Sequence, residues 1–175
     1  MADKGHIIGI DPGHGGSLVV VDMATLHPVA IYDMPLHELR GRTAIDQVAL
    51  VDLISYHRAD TRFAIIERVG PAPRQGLAST FRFGEGYGVI QGVLSALNIQ
   101  FLTVTPQAWK SAIGATADKN QSRELAMKIF PAAAPHLKRV KDDGRAEALL
   151  LASYGANIKD MFSAVDGTKR KELHS

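Results

Sequence analysis

Two carboxylates stand where strand sequences are otherwise apolar. Asp11 closes the run His6-Ile7-Ile8-Gly9-Ile10, and Glu67 closes Phe63-Ala64-Ile65-Ile66. A carboxylate at such a place is costly to desolvate unless a partner neutralises it, so both positions ask for a cation. Asp143 and Glu147 lie four residues apart. On a helix that spacing puts their Cβ atoms about 5–6 Å apart on one face. Leu149, Leu150 and Leu151 imply that this helix packs into the core. Packed near the ends of the first and fourth strands, it would gather four carboxylates that repel one another unless one or two divalent cations bind them. The chain has no cysteine, so a metal must rest on oxygen or imidazole. Hard oxygen ligands without clustered imidazole favour Mg2+ or Mn2+. Two such ions about 3.5–4 Å apart can activate a water and stabilise the leaving oxygen in phosphodiester hydrolysis. Taken singly, Asp11 before Pro12-Gly13 and Asp143 before Gly144 read as turn or cap residues. The ordered set of four points to metal chemistry.

These residues need elements to position them. The runs His6–Asp11, Ser17–Asp22 and Pro28–Asp33 are separated by short breaks and read as an antiparallel meander. From Ala44 to His57, apolar residues recur at three- and four-residue spacing, which predicts an amphipathic helix. Phe63–Glu67 is a strand of the kind buried on both faces. The stretch from Ala78 to Leu97 has helical spacing but carries Gly84, Gly86, Gly88 and Gly92. Each costs roughly 1 kcal/mol relative to Ala in a helix interior, so close packing against another helix or backbone is expected to compensate. A fifth strand, Ile99–Val104, leads to a helix capped by Thr105 with Pro106 at its first position. A loop holding Asp118, Lys119 and Asn120 precedes a helix from Gln121 to Phe130, and a final helix follows Asp142-Asp143 to about Tyr154. The expected class is α/β: a five-stranded mixed sheet, with a three-strand antiparallel meander plus two parallel strands, flanked by helices.

The 175 residues suit one domain rather than two. We place it at residues 1–158 and expect 159–175, polar and rich in Lys and Arg, to be a loosely ordered tail. A composition of 46% hydrophobic and 22% charged residues excludes disorder, collagen and a simple coiled coil. No apolar run approaches the about 18 residues of a membrane span. The opening residues show neither an apolar nor an Arg-rich leader, and the expected location is the cytoplasm of a bacterial cell or a phage-infected host. Charge is uneven: residues 110–141 hold seven Lys and Arg against two acids. That excess suits a polyanion-binding face, with an ordinary solvated face as the alternative.

Five motifs make the sequence recognisable. Ile8-Gly9-Ile10-Asp11-Pro12-Gly13, Ile65-Ile66-Glu67, Thr105-Pro106-Gln107-Ala108-Trp109-Lys110, Asp118-Lys119-Asn120-Gln121 and Asp143-Gly144-Arg145-Ala146-Glu147 resemble, in order and spacing, those of the RuvC family of Holliday junction resolvases. The last motif resembles phage-type and organellar members. Asp and Glu stand four apart here, where cellular members place two aspartates three apart. The resemblance covers about residues 6–155 and implies an RNase H-like fold. It also implies two Mg2+ ions, replaceable by Mn2+, held by Asp11, Glu67, Asp143 and Glu147 in each subunit of a homodimer that nicks opposing strands of a four-way DNA junction. Lys119 aligns with a lysine near the scissile phosphate, and Lys110 with a basic position that holds DNA backbone. Arg74, Arg82 and Arg123 are candidate phosphate contacts, solvated charges being the alternative. The Gly-rich helix corresponds to the family's dimer helix. Phe81 and Phe83 could stack on unpaired bases, with core or dimer packing as the competing reading. His14 reads as a turn residue and Trp109 as core.

Three functions compete. The first is a metal-dependent, structure-selective endonuclease, resolving four-way junctions or, more broadly, debranching flaps. The second is a phosphotransferase of the sugar-kinase and actin type, suggested by Asp11-Pro12-Gly13-His14-Gly15-Gly16, but that fold is duplicated and 175 residues are too few. The third is a junction- or RNA-binding relative or a ribonuclease, since one fold serves several tasks. The expected partners are branched DNA and a second copy of the chain, with neither membrane nor nucleotide cofactor.

Overall fold

A computed structural model of the chain describes residues 5–39, 41–71 and 76–158. Arg74 and the expected tail lie outside the described residues. Strands β1 (His6–Asp11), β2 (Ser17–Asp22) and β3 (Pro28–Asp33) form the expected meander. A hairpin follows, β4 (Leu36–Leu39) and β5 (Arg42–Ile45), then helix α1 (Gln47–His57). Strand β6 (Thr61–Glu67), helix α2 (Leu77–Ala96) and strand β7 (Phe101–Val104) come next. Helices α3 (Pro106–Ile113) and α4 (Lys119–Ile129) lead through two short 3-10 turns to α5 (Asp143–Asn157).

The main sheet has the order β3-β2-β1-β6-β7. β1 pairs antiparallel with β2 and parallel with β6, and β6 pairs parallel with β7. Ile10 is registered against Ile66, so Asp11 and Glu67 end neighbouring strands side by side. Alternation along a strand puts Ile7, Gly9 and Asp11 on one face and Ile8 and Ile10 on the other. The first face packs against α3, α4 and α5 through Ile7, Val19, Phe63, Ile65, Trp109 and Leu149. The second packs against α1 and α2 through Ile8, Ile10, Leu18, Ile66, Leu50 and Ile90. Both carboxylates therefore point toward the α5 side.

How closely α5 sits is set by glycine. A Cβ on Gly9 would overlap the Ala148 carbonyl, and one on Gly144 would overlap the Gly15 carbonyl and approach Gly16 Cα at 2.9 Å. The helix rests backbone to backbone on β1 and its turn, which carries the first turn of α5 up to Asp11. A clamp holds that end. The Arg145 guanidinium donates to both Asp33 oxygens at 2.6 and 2.7 Å, tying α5 to the end of β3. Asp142, 3% exposed, accepts from the Arg139 side chain and backbone N–H.

Three expectations need correction. The helix expected from Ala44 begins at Gln47, because Arg42–Ile45 pairs with β4 instead. The β-branched Thr43 and Ile45 favour a strand, Gly41 turns the hairpin at φ +72°, and Asp46 caps the helix by accepting from the Ala49 N–H at 3.0 Å. Helix α4 begins at Lys119, since Asp118 is its cap and accepts from the N–H groups of Asn120 and Gln121. Phe81 is not core: it is 74% exposed, because the buried stripe of α2 is Gly86, Ile90, Val93 and Leu94. Within one chain Gly86 has the expected close neighbour, Ile45, while Gly84, Gly88 and Gly92 face open space, which leaves them free for the packing on a second copy that the resemblance implies.

Candidate metal centre

The β1 and β6 ends and one face of α5 converge. Carboxylate oxygens of Asp11, Glu67 and Glu147 lie within 4.8 Å of one another. Asp143, one turn earlier on α5, stands beside this group and is bonded to the Lys119 ammonium. Lys110 Nζ donates to Glu147 Oε1 at 2.7 Å, with both side chains largely buried. Trp109 Nε1 donates to Glu67 Oε1 at 3.0 Å, and Gly13 N–H donates to Asp11 Oδ1 at 3.3 Å. Three of the four carboxylates named from the sequence thus share one point, and the fourth adjoins it.

The electrostatics follow from this crowding. Burial first, then the negative charge of Glu147, pushes the Asp11 carboxyl up to about 7, with Glu67 and Asp143 adding to the rise. The Gly13 N–H opposes it. Glu67 is also raised, chiefly by burial, while the Trp109 indole and Lys110 hold it down. Lys119 is raised by its bond to Asp143. The group thus carries more negative charge than its two lysines neutralise, and without a further cation it retains a proton near neutral pH. Oxygen donors from three elements, no sulfur and an unmet demand for positive charge fit a hard divalent cation. Asp11, Glu67 and Glu147 would hold such an ion, with Asp143 beside them.

The remaining candidates are distributed differently. Lys110, expected near DNA backbone, is engaged with Glu147 inside the cluster. Lys119 is 70% exposed apart from its bond to Asp143. Arg123 donates to Asn120 on its own helix and makes no ion pair with the carboxylates among the described residues. Arg82 and Phe81 line clefts beside α2, away from the α5 side. His14 lines those clefts too. Trp109 was expected only as core; it is fully buried and also orients Glu67. A buried indole N–H needs an acceptor, and that demand was the available signal.

The sheet and its flanking helices have the RNase H-like α/β fold, with carboxylates at the ends of two neighbouring strands. Neither a protein-family model nor a curated protein matches the sequence. Solved structures do. The chain is similar to Thermus thermophilus RuvC in complex with Holliday junction substrate, with 16% identity and a TM-score of 0.64 over 90% of this chain and 96% of that one. A second Thermus thermophilus RuvC structure matches with 19% identity and a TM-score of 0.58 over 89% and 96%. The yeast mitochondrial Holliday junction resolvase matches with 14% identity and a TM-score of 0.54 over 87% and 78%. Within that class the chain has the RuvC fold.

Proposed function

We propose that the chain is a divalent-metal-dependent endonuclease that resolves four-way DNA junctions by paired nicking, acting as a homodimer. The observation that carries this reading is the meeting of Asp11, Glu67 and Glu147 within 4.8 Å in a RuvC fold. Asp143 and Lys119 complete the acidic and basic ring around them. Two Mg2+ or Mn2+ ions, when bound, would supply an activated water and stabilise the leaving oxygen of the phosphodiester.

The chain's own residues do the positioning. Trp109 fixes the Glu67 carboxylate, and the Gly9 contact sets the depth of α5 and so of Glu147. Lys110 and Lys119 offset part of the carboxylate charge in the resting protein. Near the scissile phosphate, the exposed Lys119 ammonium stabilises developing negative charge. The exposed strip of Gly84, Gly88 and Gly92 on α2 supports a helix-to-helix approach between two copies. That contact would set two centres against opposing strands.

The test is a labelled four-way junction incubated with Mg2+ and mapped for nicks. Symmetric paired nicks are expected. Asp11→Asn or Glu67→Gln should abolish them and leave junction binding largely intact. Undiminished cleavage by Asp11→Asn would refute the metal assignment, and scattered nicks on flaps would make the protein a broader debranching nuclease.

A further inference from the structure

The β4–β5 hairpin leans against α2 at one seam. A Cβ on Gly86 would stand 3.0 Å from Ile45 Cδ1, so the absence of a side chain there lets β5 seat on the helix. Beyond the seam the two elements part into adjoining clefts of about 420 and 340 Å3. Arg42 and Thr43 form one wall of both, and Arg82 forms the other. Phe83 lines the larger cleft, and Phe81, 74% exposed, borders the smaller. His14 lines both, three residues beyond Asp11, so the clefts lie at the same end of the sheet as the acidic centre, on its α2 side.

The charges in these walls are free to act outward. Arg42 has no ion-pair partner among the described residues. Among the described residues Arg82 spends only its Nε–H, on the Ala78 carbonyl at 3.1 Å. Glu38, the acid nearest in the hairpin ladder, accepts from the Thr43 hydroxyl at 3.2 Å. Among the described residues Glu85 is the one acid lining either cleft. Two guanidinium groups facing each other across a slot suit a chain of phosphates, and the phenylalanine rings offer faces on which bases stack.

Resting on the nuclease reading above, we infer that the hairpin is a second wall of the DNA site. Arg42 grips the backbone of the strand leaving the metal centre, opposite Arg82. Arg42 is a positioning and affinity residue, remote from the reacting atoms. Its contribution is electrostatic and independent of base sequence, so it should appear in the salt dependence of binding.

The experiment measures junction binding by fluorescence anisotropy across a salt series, in an Asp11→Asn background that prevents cutting. Adding Arg42→Ala should weaken binding about tenfold and lower the salt slope by about one, with the thermal midpoint unchanged. Arg42→Lys should restore most of the loss. The chain has no cysteine, so Thr43→Cys carrying a photo-crosslinker probes the wall directly and should link to DNA near the branch point. Unchanged affinity and salt slope for Arg42→Ala, or no crosslink from Thr43→Cys, overturns the inference. If wild-type protein binds junctions through Arg42 but never cuts them, the nuclease reading fails and the hairpin wall stands. If it nicks symmetrically while Arg42→Ala binds as tightly, the hairpin wall fails alone.

Discussion

Helices α5 and α2 lie on opposite faces of one sheet, and both carry glycine, yet they use it in opposite ways. On α5 the glycines lie inward. Gly144 and Gly155 meet β1, its turn and β6, and Gly9 meets α5 from the strand side. The helix is buried on almost every side, with Ala146 and Ala148 through Ser153 shielded from solvent. On α2, Gly84, Gly88 and Gly92 look into open space, and Leu77 and Phe81 are 91% and 74% exposed. The first arrangement seats α5 backbone to backbone on β1 and its turn, and so sets where Asp143 and Glu147 stand. The second leaves a helix face uncovered within one chain.

The comparison can be pressed first at the acidic centre. In the metal-free protein the folded Asp11 carboxyl, at about 7 against the ordinary 3.8, holds a proton that the unfolded chain has already released. Stability is therefore highest below about pH 4 for this group and falls as pH rises to about 7, by up to about 4 kcal/mol. Thermal melts in EDTA should show a lower midpoint at pH 8 than at pH 5.5. Mg2+ should raise the midpoint more at pH 8, and Asp11→Asn should remove both effects. A melting point independent of pH and Mg2+ would break the reading of the α5 side as a cation-demanding site.

Next in size is Gly9→Ala. Its Cβ meets backbone rather than a flexible side chain, so the variant should lose about 3 kcal/mol in a denaturant titration. The same change at Gly88 should do the reverse. Open space and helix propensity predict a gain of about 0.5–1 kcal/mol within one chain. If that strip packs on a partner, Gly88→Ala also weakens self-association in sedimentation, and a variant that stays as dimeric as wild type removes α2 from the interface. The smallest effect belongs to Arg145→Ala. Its partner Asp33 is 66% exposed, so the ion pair contributes about 0.5 kcal/mol to stability. Arg145 holds Asp33 below the usual carboxylate range, so that increment is present near neutral pH and disappears as pH falls below about 4.

Much of the architecture was legible because hydrophobic periodicity is local. The meander, the apolar β6 strand and the α5 helix each announce themselves in a window of a few residues, and right-handed crossovers then place β6 beside β1. The hairpin was hidden. Arg42-Thr43-Ala44-Ile45 runs directly into the helical pattern of α1, and four residues are too few for a period of two to compete with a period of 3.6. For Phe81 only the core alternative to base stacking fails, because the glycines between the buried positions leave its side of α2 uncovered.

The chain alone determined which residues can carry charge at strand ends and that Asp143 and Glu147 share a helical face, since both follow from side-chain chemistry and backbone geometry within a few residues. Folding decided the pairings between distant segments. Trp109 bonds Glu67 across 42 residues, Lys110 bonds Glu147 across 37, and Arg145 clamps Asp33 across 112. None of these has a local signal, because an indole, an ammonium or a guanidinium takes whatever acceptor the packing of α3 and α5 brings within about 3 Å. The elevated Asp11 carboxyl has the same origin: neighbouring charge and lost water belong to the assembled site rather than to Asp11 itself.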